Sequence, residues 1–236
     1  MKSTRLLCTI LSLAFVMGMA ACSSKTSETT KAKEDETTTT QTSEVTTTMT
    51  TVAESVERTP TATCTSDNFN DFENMNFTYK GKKYTLGVTT LADMINDGVE
   101  FSNAEADFSK TVDKQSSFYL GFSFDIIPYR SATVTVANYT DNDLSVKDCV
   151  ISSFRLSSIR QLPDGGVTFN FPDLFTKDDV INSIGEPDGK SEFDSNGSHF
   201  VICTYEQVSE LYMGKRYYEY TFKDDIVDTI NMSYIP

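Results

Sequence analysis

The chain contains a single histidine, His199, which is the first residue to consider as a general acid or base. A catalytic imidazole needs a nucleophile within hydrogen-bond reach and a third group that orients it. The surrounding residues, "SNGSHFVICTYE", contain no recognisable nucleophile motif, and the histidine follows a turn at the expected start of a strand. We therefore predict a surface histidine and assign no catalytic residue.

Three acidic clusters raise the question of a metal site, namely Asp141-Asn142-Asp143, Asp178-Asp179 and Asp224-Asp225. A calcium-binding EF-hand loop needs oxygen ligands at alternate positions and a glycine between them. None of the clusters has this pattern, so we predict no metal and no cofactor. Paired carboxylates on neighbouring strands could still cleave a glycosidic bond, and a carboxylate-based hydrolase therefore remains an alternative function.

The cysteines exclude a disulfide framework. Of the five in the chain, Cys8 lies in an apolar leader and Cys22 in a lipidation motif, which leaves Cys64, Cys149 and Cys203. An odd number of widely spaced cysteines predicts buried free thiols, with one Cys149–Cys203 disulfide as the alternative. No pair has the spacing of zinc ligands, so a zinc site is disfavoured.

The N-terminal residues have the features of a lipidated export signal. Lys2 and Arg5 precede the apolar run "LLCTILSLAFVMGMAA", which is too short to cross a bilayer comfortably. The run ends in "MAAC", and small residues before a cysteine at this place resemble the lipobox of bacterial lipoproteins. The resemblance implies a signal peptide over residues 1–21 and a diacylglyceryl group on Cys22. An ordinary signal peptide with an unmodified Cys22 is the alternative.

Lipidation would place the mature protein at the extracytoplasmic face of the bacterial cell membrane, with the membrane itself as a partner. Acyl chains on Cys22 form a stable anchor, since each buried methylene contributes about 0.8 kcal/mol. Residues 22–66 consist mainly of Thr, Ser, Glu and Lys and can bury almost nothing, which predicts a disordered linker. Such a flexible segment spans roughly 35 Å. The net charge of −14 makes nucleic acid an unsuitable partner.

A helix with well-defined ends is predicted in "FTKDDVINSIGEPDG", residues 175–189. Thr176 is a favourable N-cap, and Asp179 three residues later can complete a capping box. Gly185 can adopt the left-handed conformation that ends a helix, and a proline follows it. These signals predict a two-turn helix over about 177–184.

An earlier segment, "TTLADMINDGVEF" over 89–101, repeats this pattern with Thr90 as the cap, Asp93 in the first turn and Gly98 at the end. Each helix is followed by segments in which apolar and polar residues alternate, as in half-buried strands. These segments are 117–125, 131–138 and 149–157 after the first helix, and 199–206, 215–222 and 226–234 after the second. A hairpin over 77–86 and a strand over 167–171 precede the two helices. The repeated order predicts an internal duplication.

The sequence therefore predicts an α+β fold of two tandem units, residues 67–158 and 159–236. In each unit one short helix would pack on a three- to four-stranded antiparallel sheet. One short helix covers little of a sheet, so we expect the two units to pack together.

The second unit resembles a known repeat fold. The string T-x-x-D-V-I-x-x-I-G-E-P-D, followed by three strands rich in tyrosine, resembles the tandem-repeat fold of the β-lactamase-inhibitory protein and of small outer-membrane lipoproteins that assist barrel assembly. The match is carried by Thr176, Asp179, Val180, Ile184, Gly185, Glu186, Pro187 and the strands up to Tyr234. The signal, the Thr-rich linker and the acidic domain also resemble those of Gram-positive surface lipoproteins. These resemblances imply a protein that binds other proteins on a sheet surface and is not a catalyst, although a fold does not define a function.

Tyrosines supply the candidate binding surface. Residues 205–220 contain five of them, and tyrosine beside arginine is common at protein contacts. We predict a docking surface on the helix-free sheet face formed by Tyr119, Tyr205, Tyr217 and Arg216; the alternative is that these side chains fill the groove between the repeats. The expected function is that of a membrane-anchored, non-enzymatic module that binds an extracellular or envelope protein or another ligand. A structural or assembly role in the cell envelope is the alternative.

Overall fold

Strands are much more abundant than helices in the described part of the chain. The computed structural model describes residues 57–102, 105–116 and 121–236. The strands are β1 (Asn76–Tyr79), β2 (Lys82–Thr85), β3 (Thr111–Val112), β4 (Gly121–Ile127), β5 (Arg130–Ala137), β6 (Leu144–Ser145), β7 (Val150–Ser157), β8 (Val167–Phe169), β9 (Gly189–Ser195), β10 (Ser198–Val208), β11 (Lys215–Lys223) and β12 (Ile226–Ser233). The α-helices are α1 (Leu91–Asn96), α2 (Glu105–Phe108) and α3 (Lys177–Ile184), and 3-10 helices cover Asp67–Asn70, Val146–Asp148 and Ile159–Gln161.

Helix α3 has the boundaries and the capping that the sequence predicts. The backbone N of Asp179 donates to Thr176 Oγ1, and the backbone N of Thr176 donates to the Asp179 carboxylate at 2.8 Å. The same reciprocal capping box joins Thr90 and Asp93 at the start of α1. Gly185 follows α3 with a φ of +89°, a conformation that favours glycine. Both helix predictions are confirmed.

The predicted fold class is wrong. Strands from both predicted units form one seven-stranded antiparallel sheet of order β4-β5-β7-β12-β11-β10-β9. β1 and β2 lie in the first predicted unit and β8 lies in the second, yet the three strands form one sheet of order β2-β1-β8. A third sheet contains only β3 and β6. The protein is mostly β and does not consist of two helix-on-sheet units.

The two expected sheets merge because β7 and β12, the last strands of the predicted units, pair with each other. Their register places Ser157 opposite Thr229 and Ser153 opposite Ser233. A strand at the edge of a sheet leaves backbone N–H and C=O groups without partners, and this pairing removes two such edges. Helices of six and eight residues cover little of the merged sheet. The smaller sheet therefore supplies much of the second layer.

The hydrophobic core lies on one face of the seven-stranded sheet. Phe77 of the smaller sheet stacks on Phe154 of β7, with ring centroids 3.9 Å apart. Phe69, from the 3-10 helix that precedes β1, packs against Phe175 at 4.7 Å and against Tyr220 of β11 at 6.3 Å. The two layers are thus joined mainly through aromatic side chains, which bury large apolar areas.

Residues 57–66, the last part of the predicted linker, lie against the folded body. The backbone N of Arg58 donates to the carbonyl oxygen of Arg160 at 2.8 Å. The backbone N of Cys64 donates to Asp179 Oδ1 on α3 at 3.2 Å. These contacts hold the beginning of the described chain against α3 and the segment that follows β7.

Several predictions concern residues that lie outside the described ranges. They include the signal peptide over 1–21, the lipidation of Cys22, the linker before Glu57 and the docking role of Tyr119. In the described ranges, no helix has the length and apolar character needed to cross a membrane.

The alternative disulfide between Cys149 and Cys203 is excluded by the sheet order. Both thiols are free and buried. Cys149 directly precedes β7 and Cys203 lies in β10, and β12 and β11 lie between these strands. Three inter-strand spacings amount to about 14 Å, whereas a disulfide joins Cα atoms less than about 7 Å apart. Burial raises the pKa of Cys149 to about 11, so its thiol is protonated at neutral pH.

Candidate docking surface

The face of the seven-stranded sheet opposite the core is polar, and we call it the open face. Side chains alternate between the two faces of a strand, and the strand pairing fixes which of them share a row. The central row of the open face consists of Thr204, Glu219, Asn231, Arg155, Thr133 and Ser123. The smaller sheet and the 3-10 helix of Phe69 pack on the other face, around Phe154 and Tyr220. Antiparallel sheets commonly leave one face to solvent in this way.

Arg155, on β7 near the middle of the open face, is exposed and has neither a hydrogen-bond acceptor nor an ion-pair partner within the described part of the chain. The other described arginines all donate to an oxygen of the protein. They are Arg58, Arg130, Arg160 and Arg216. A guanidinium carries five N–H donors in a fixed planar arrangement that matches a carboxylate. Arg155 therefore presents this recognition group to solvent.

The residues around Arg155 do not neutralise it. Thr133 and Asn231 flank it on the neighbouring strands, and Ser153 and Ser157 flank it along β7. All four are uncharged, although the chain contains 34 acidic and only 20 basic residues. An anionic group from outside the chain would meet a free guanidinium surrounded by hydroxyl and amide groups.

Glu219, on β11, is the acidic counterpart of Arg155 in the central row. Asn231 lies between them on β12, and its Nδ2 is 3.3 Å from Glu219 Oε1 and 3.5 Å from the hydroxyl of Tyr217. Glu219 forms no ion pair within the described ranges. Two inter-strand spacings, about 10 Å, separate the backbones at Arg155 and Glu219. The open face thus carries one positive and one negative group that are held apart.

Strand β12 divides the open face into a bulky half and a small half. On the bulky half, Phe193 of β9 and Phe200 of β10 stack with centroids 5.1 Å apart, and Ile202 and Tyr217 lie nearby in the register. The small half carries hydroxyl-bearing side chains around Arg155. These are Ser123, Thr133, Thr135, Ser153 and Ser157. Around the central row, the side chains on one side of β12 are therefore larger than those on the other side.

The structure separates the residues predicted to form the docking surface. Tyr217 lies on the open face. Tyr205 lies on the core face and is only 3% exposed. Arg216, one residue from Tyr217, also points to the core side, where its Nε donates to the carbonyl oxygen of Ile235 at 2.9 Å. The described structure therefore does not bring Tyr205 and Arg216 together with Tyr217, and Tyr119 lies outside the described residues.

His199 is an exposed residue beside the β9–β10 turn, as predicted. Its Nδ1 lies 2.9 Å from Asp194 Oδ1, and its Nε2 lies 4.0 Å from Glu192 Oε2. Across the described ranges, no three side chains of His, Cys, Asp or Glu are grouped so that they could hold a metal ion.

Arg155, Asn231 and Glu219 are not among the residues that the sequence predicted for the docking surface. The signal for Arg155 was present in "SSFRLS", where a charged residue alternates with Phe154 and Leu156 and must therefore face away from the core. What the sequence did not reveal was the pairing of β7 with β12, which places Asn231 and then Glu219 beside Arg155.

Comparisons with protein-family models, curated proteins and solved structures found no match to this chain. The chemistry of the open face itself indicates the class of site. A free guanidinium, an accessible carboxylate and many hydroxyl groups on a broad surface suit recognition of a polar surface. Sites for small molecules are instead usually concave and mostly apolar.

Proposed function

We propose that this protein is a membrane-anchored, extracytoplasmic binding module without catalytic activity, and that it docks a partner protein on the open face of its seven-stranded sheet. The lipobox-like "MAAC" supports an anchor on Cys22, and the Thr-rich segment that follows supports a tether. The observation that carries the docking role is the unpaired Arg155 at the middle of the open face.

Binding at Arg155 would use favourable electrostatics. A carboxylate from a partner can accept two parallel hydrogen bonds from a guanidinium, and such charge-assisted bonds are about twice as strong as neutral ones. Arginine and tyrosine are also enriched at protein contacts, and Tyr217 lies beside Asn231 on the same face. The hydroxyl groups around Arg155 can form further hydrogen bonds within such a contact.

Anchoring is tested by replacing the acylated residue. In Cys22→Ser the acceptor sulfur is absent, so we expect no incorporation of labelled palmitate and a shift of the protein from the membrane to the soluble fraction. The measurement is metabolic labelling followed by fractionation of the producing bacterium. Cys64→Ser, which removes a thiol from the folded domain, is the control and should keep both label and location. Labelling of Cys22→Ser equal to that of the wild type would contradict the anchor.

Docking is tested by reversing the charge of Arg155. Full-length tagged protein is captured from detergent extracts of the envelope, and the proteins that accompany it are quantified. We expect R155E to capture at least tenfold less of the specific partner than the wild type, because a like charge would face the partner's carboxylate. K83E is the matched control, since Lys83 is an exposed residue of β2 without a partner in the described chain. Equal capture by R155E, K83E and the wild type would show that the open face does not dock the partner.

A further inference from the structure

We infer that the partner of the open face is a second copy of this chain, and that two copies pack face to face about a two-fold axis parallel to β12. This inference rests on the proposed docking role of the open face and names the partner. In an isologous interface residue i of one copy contacts residue j of the other, and j contacts i in return. The open face meets this condition in charge, in shape and in size.

The charges of the open face are complementary to themselves under this axis. β7 and β11 lie on either side of β12, so Arg155 and Glu219 lie one strand from Asn231 in the same row, on opposite sides. A two-fold axis that runs along β12, between two facing sheets, keeps the row and exchanges the two sides. Arg155 of each copy then faces Glu219 of the other, and the interface contains two ion pairs. Neither residue has an ion-pair partner within the described part of its own chain.

The side-chain sizes near the middle of the open face also match under this axis. The same axis places β11 opposite β7, β10 opposite β5 and β9 opposite β4 of the other copy. Tyr217 then faces Ser153, and Ile202 faces the region of Ser131 on β5. Tyr217 and Ile202 of each copy thus meet small residues of the other, which is the alternation that lets facing layers interdigitate. Phe193 and Phe200 instead face the end of the β4–β5 hairpin at Ile127 and Tyr129, where the contact is apolar. Packed sheets lie about 10 Å apart, a gap that an extended arginine and an extended glutamate can bridge together.

The open face is also large enough for a dimer contact. Seven strands span roughly 30 Å across the sheet, and strands of about eight residues span roughly 25 Å, so the face measures about 750 Å² in each copy. Stable protein contacts bury about 800 Å² on each partner. The area is sufficient for a specific dimer, and the polar composition predicts one that dissociates on dilution.

The test is a charge exchange measured on the full-length protein. Sedimentation equilibrium in density-matched detergent, where the micelle adds no buoyant mass, gives the dimer dissociation constant. We expect R155E and E219R each to raise this constant by at least tenfold, because each change creates two like-charge contacts across the axis. The double variant R155E/E219R should restore dimerisation. A mixture of the two single variants should form a heterodimer, since unlike charges then meet at both contacts.

The outcomes separate this inference from the proposed function. A monomer at all concentrations up to about 100 µM would overturn the dimer; if R155E still lost an envelope partner, docking on the open face would stand. A dimer that neither R155E nor E219R weakens would use another surface and would also overturn the inference. Failure of the double variant and of the mixture to recover, with melting temperatures equal to the wild type, would show that Arg155 and Glu219 do not face each other.

Discussion

Replacing Phe154 with alanine is expected to lower the free energy of unfolding by about 3–5 kcal/mol. Phe154 lies on β7 with no exposed surface, and its ring stacks on Phe77 at 3.9 Å. A second ring of the smaller sheet, Phe169, lies 6.0 Å away. Truncation at this place removes one of the aromatic contacts between the two layers and leaves a cavity that stacked rings on a rigid sheet cannot fill. Urea unfolding followed by circular dichroism measures the change.

Phe193→Ala is the matched control for this prediction. Phe193 is also a strand phenylalanine that stacks on another ring, but it lies on the open face and is 47% exposed. Its truncation should lower the free energy of unfolding by no more than about 1 kcal/mol. Equal losses for the two variants would mean that the contact between Phe77 and Phe154 does not hold the layers together. The test also bears on the docking surface, because Phe154 adjoins Arg155 and fixes the strand that presents it.

The elements that could be predicted from the sequence are those whose chemistry is local. The two capped helices needed only a threonine, an aspartate three residues later and a glycine at the end. The tight turns at Lys80-Gly81 and Asn196-Gly197 needed residues that tolerate positive φ, and all four have it. These features are decided within a few residues and do not depend on the rest of the fold.

The strand pairing could not be predicted because it depends on contacts between distant segments. β7 and β12 are separated by four other strands in the sequence, and nothing in either strand specifies the other as its neighbour. β9, "GKSEFDS", was missed because it is an edge strand with charged side chains and almost no buried residue. Because neither the pairing of β7 with β12 nor strand β9 was predicted, the strands were divided into two separate units.

The error at Tyr205 has a related cause. Alternation shows which residues of one strand share a face, but it does not give the phase of one strand relative to the next. The register sets Tyr205 opposite Tyr218, which is a core residue, and sets Glu206 opposite Tyr217. A shift of one residue would have moved Tyr205 to the open face. Arg155 was not predicted because its role depends on its neighbours on other strands, and the sequence does not specify which strands those are.

Replacing Asp179 with asparagine is expected to lower the free energy of unfolding by about 2–3 kcal/mol at pH 7. Asp179 is 3% exposed, and its carboxylate accepts hydrogen bonds from the backbone N and the Oγ1 of Thr176, both at 2.8 Å, and from the backbone N of Cys64 at 3.2 Å. An asparagine cannot accept all three bonds, because one of its two terminal atoms is a donor. The variant therefore weakens both the cap of α3 and the attachment of residues 57–66.

The pH dependence distinguishes this carboxylate from an ordinary helix cap. Burial opposes ionisation of Asp179, but the hydrogen bonds from Thr176 and Cys64 outweigh it and lower the pKa of the carboxyl below its usual value. A lowered pKa contributes stability that is fully present above about pH 4, the unfolded value, and is lost as the pH falls through the folded value. The difference in the free energy of unfolding between the wild type and Asp179→Asn should therefore shrink on acidification.

The control is Asp93→Asn, in the exposed capping box of α1, where a loss of about 1 kcal/mol is expected at pH 7. A difference for Asp179→Asn that stays constant from pH 7 to pH 3, or that equals the loss for Asp93→Asn, would show that Asp179 does no more than cap its helix.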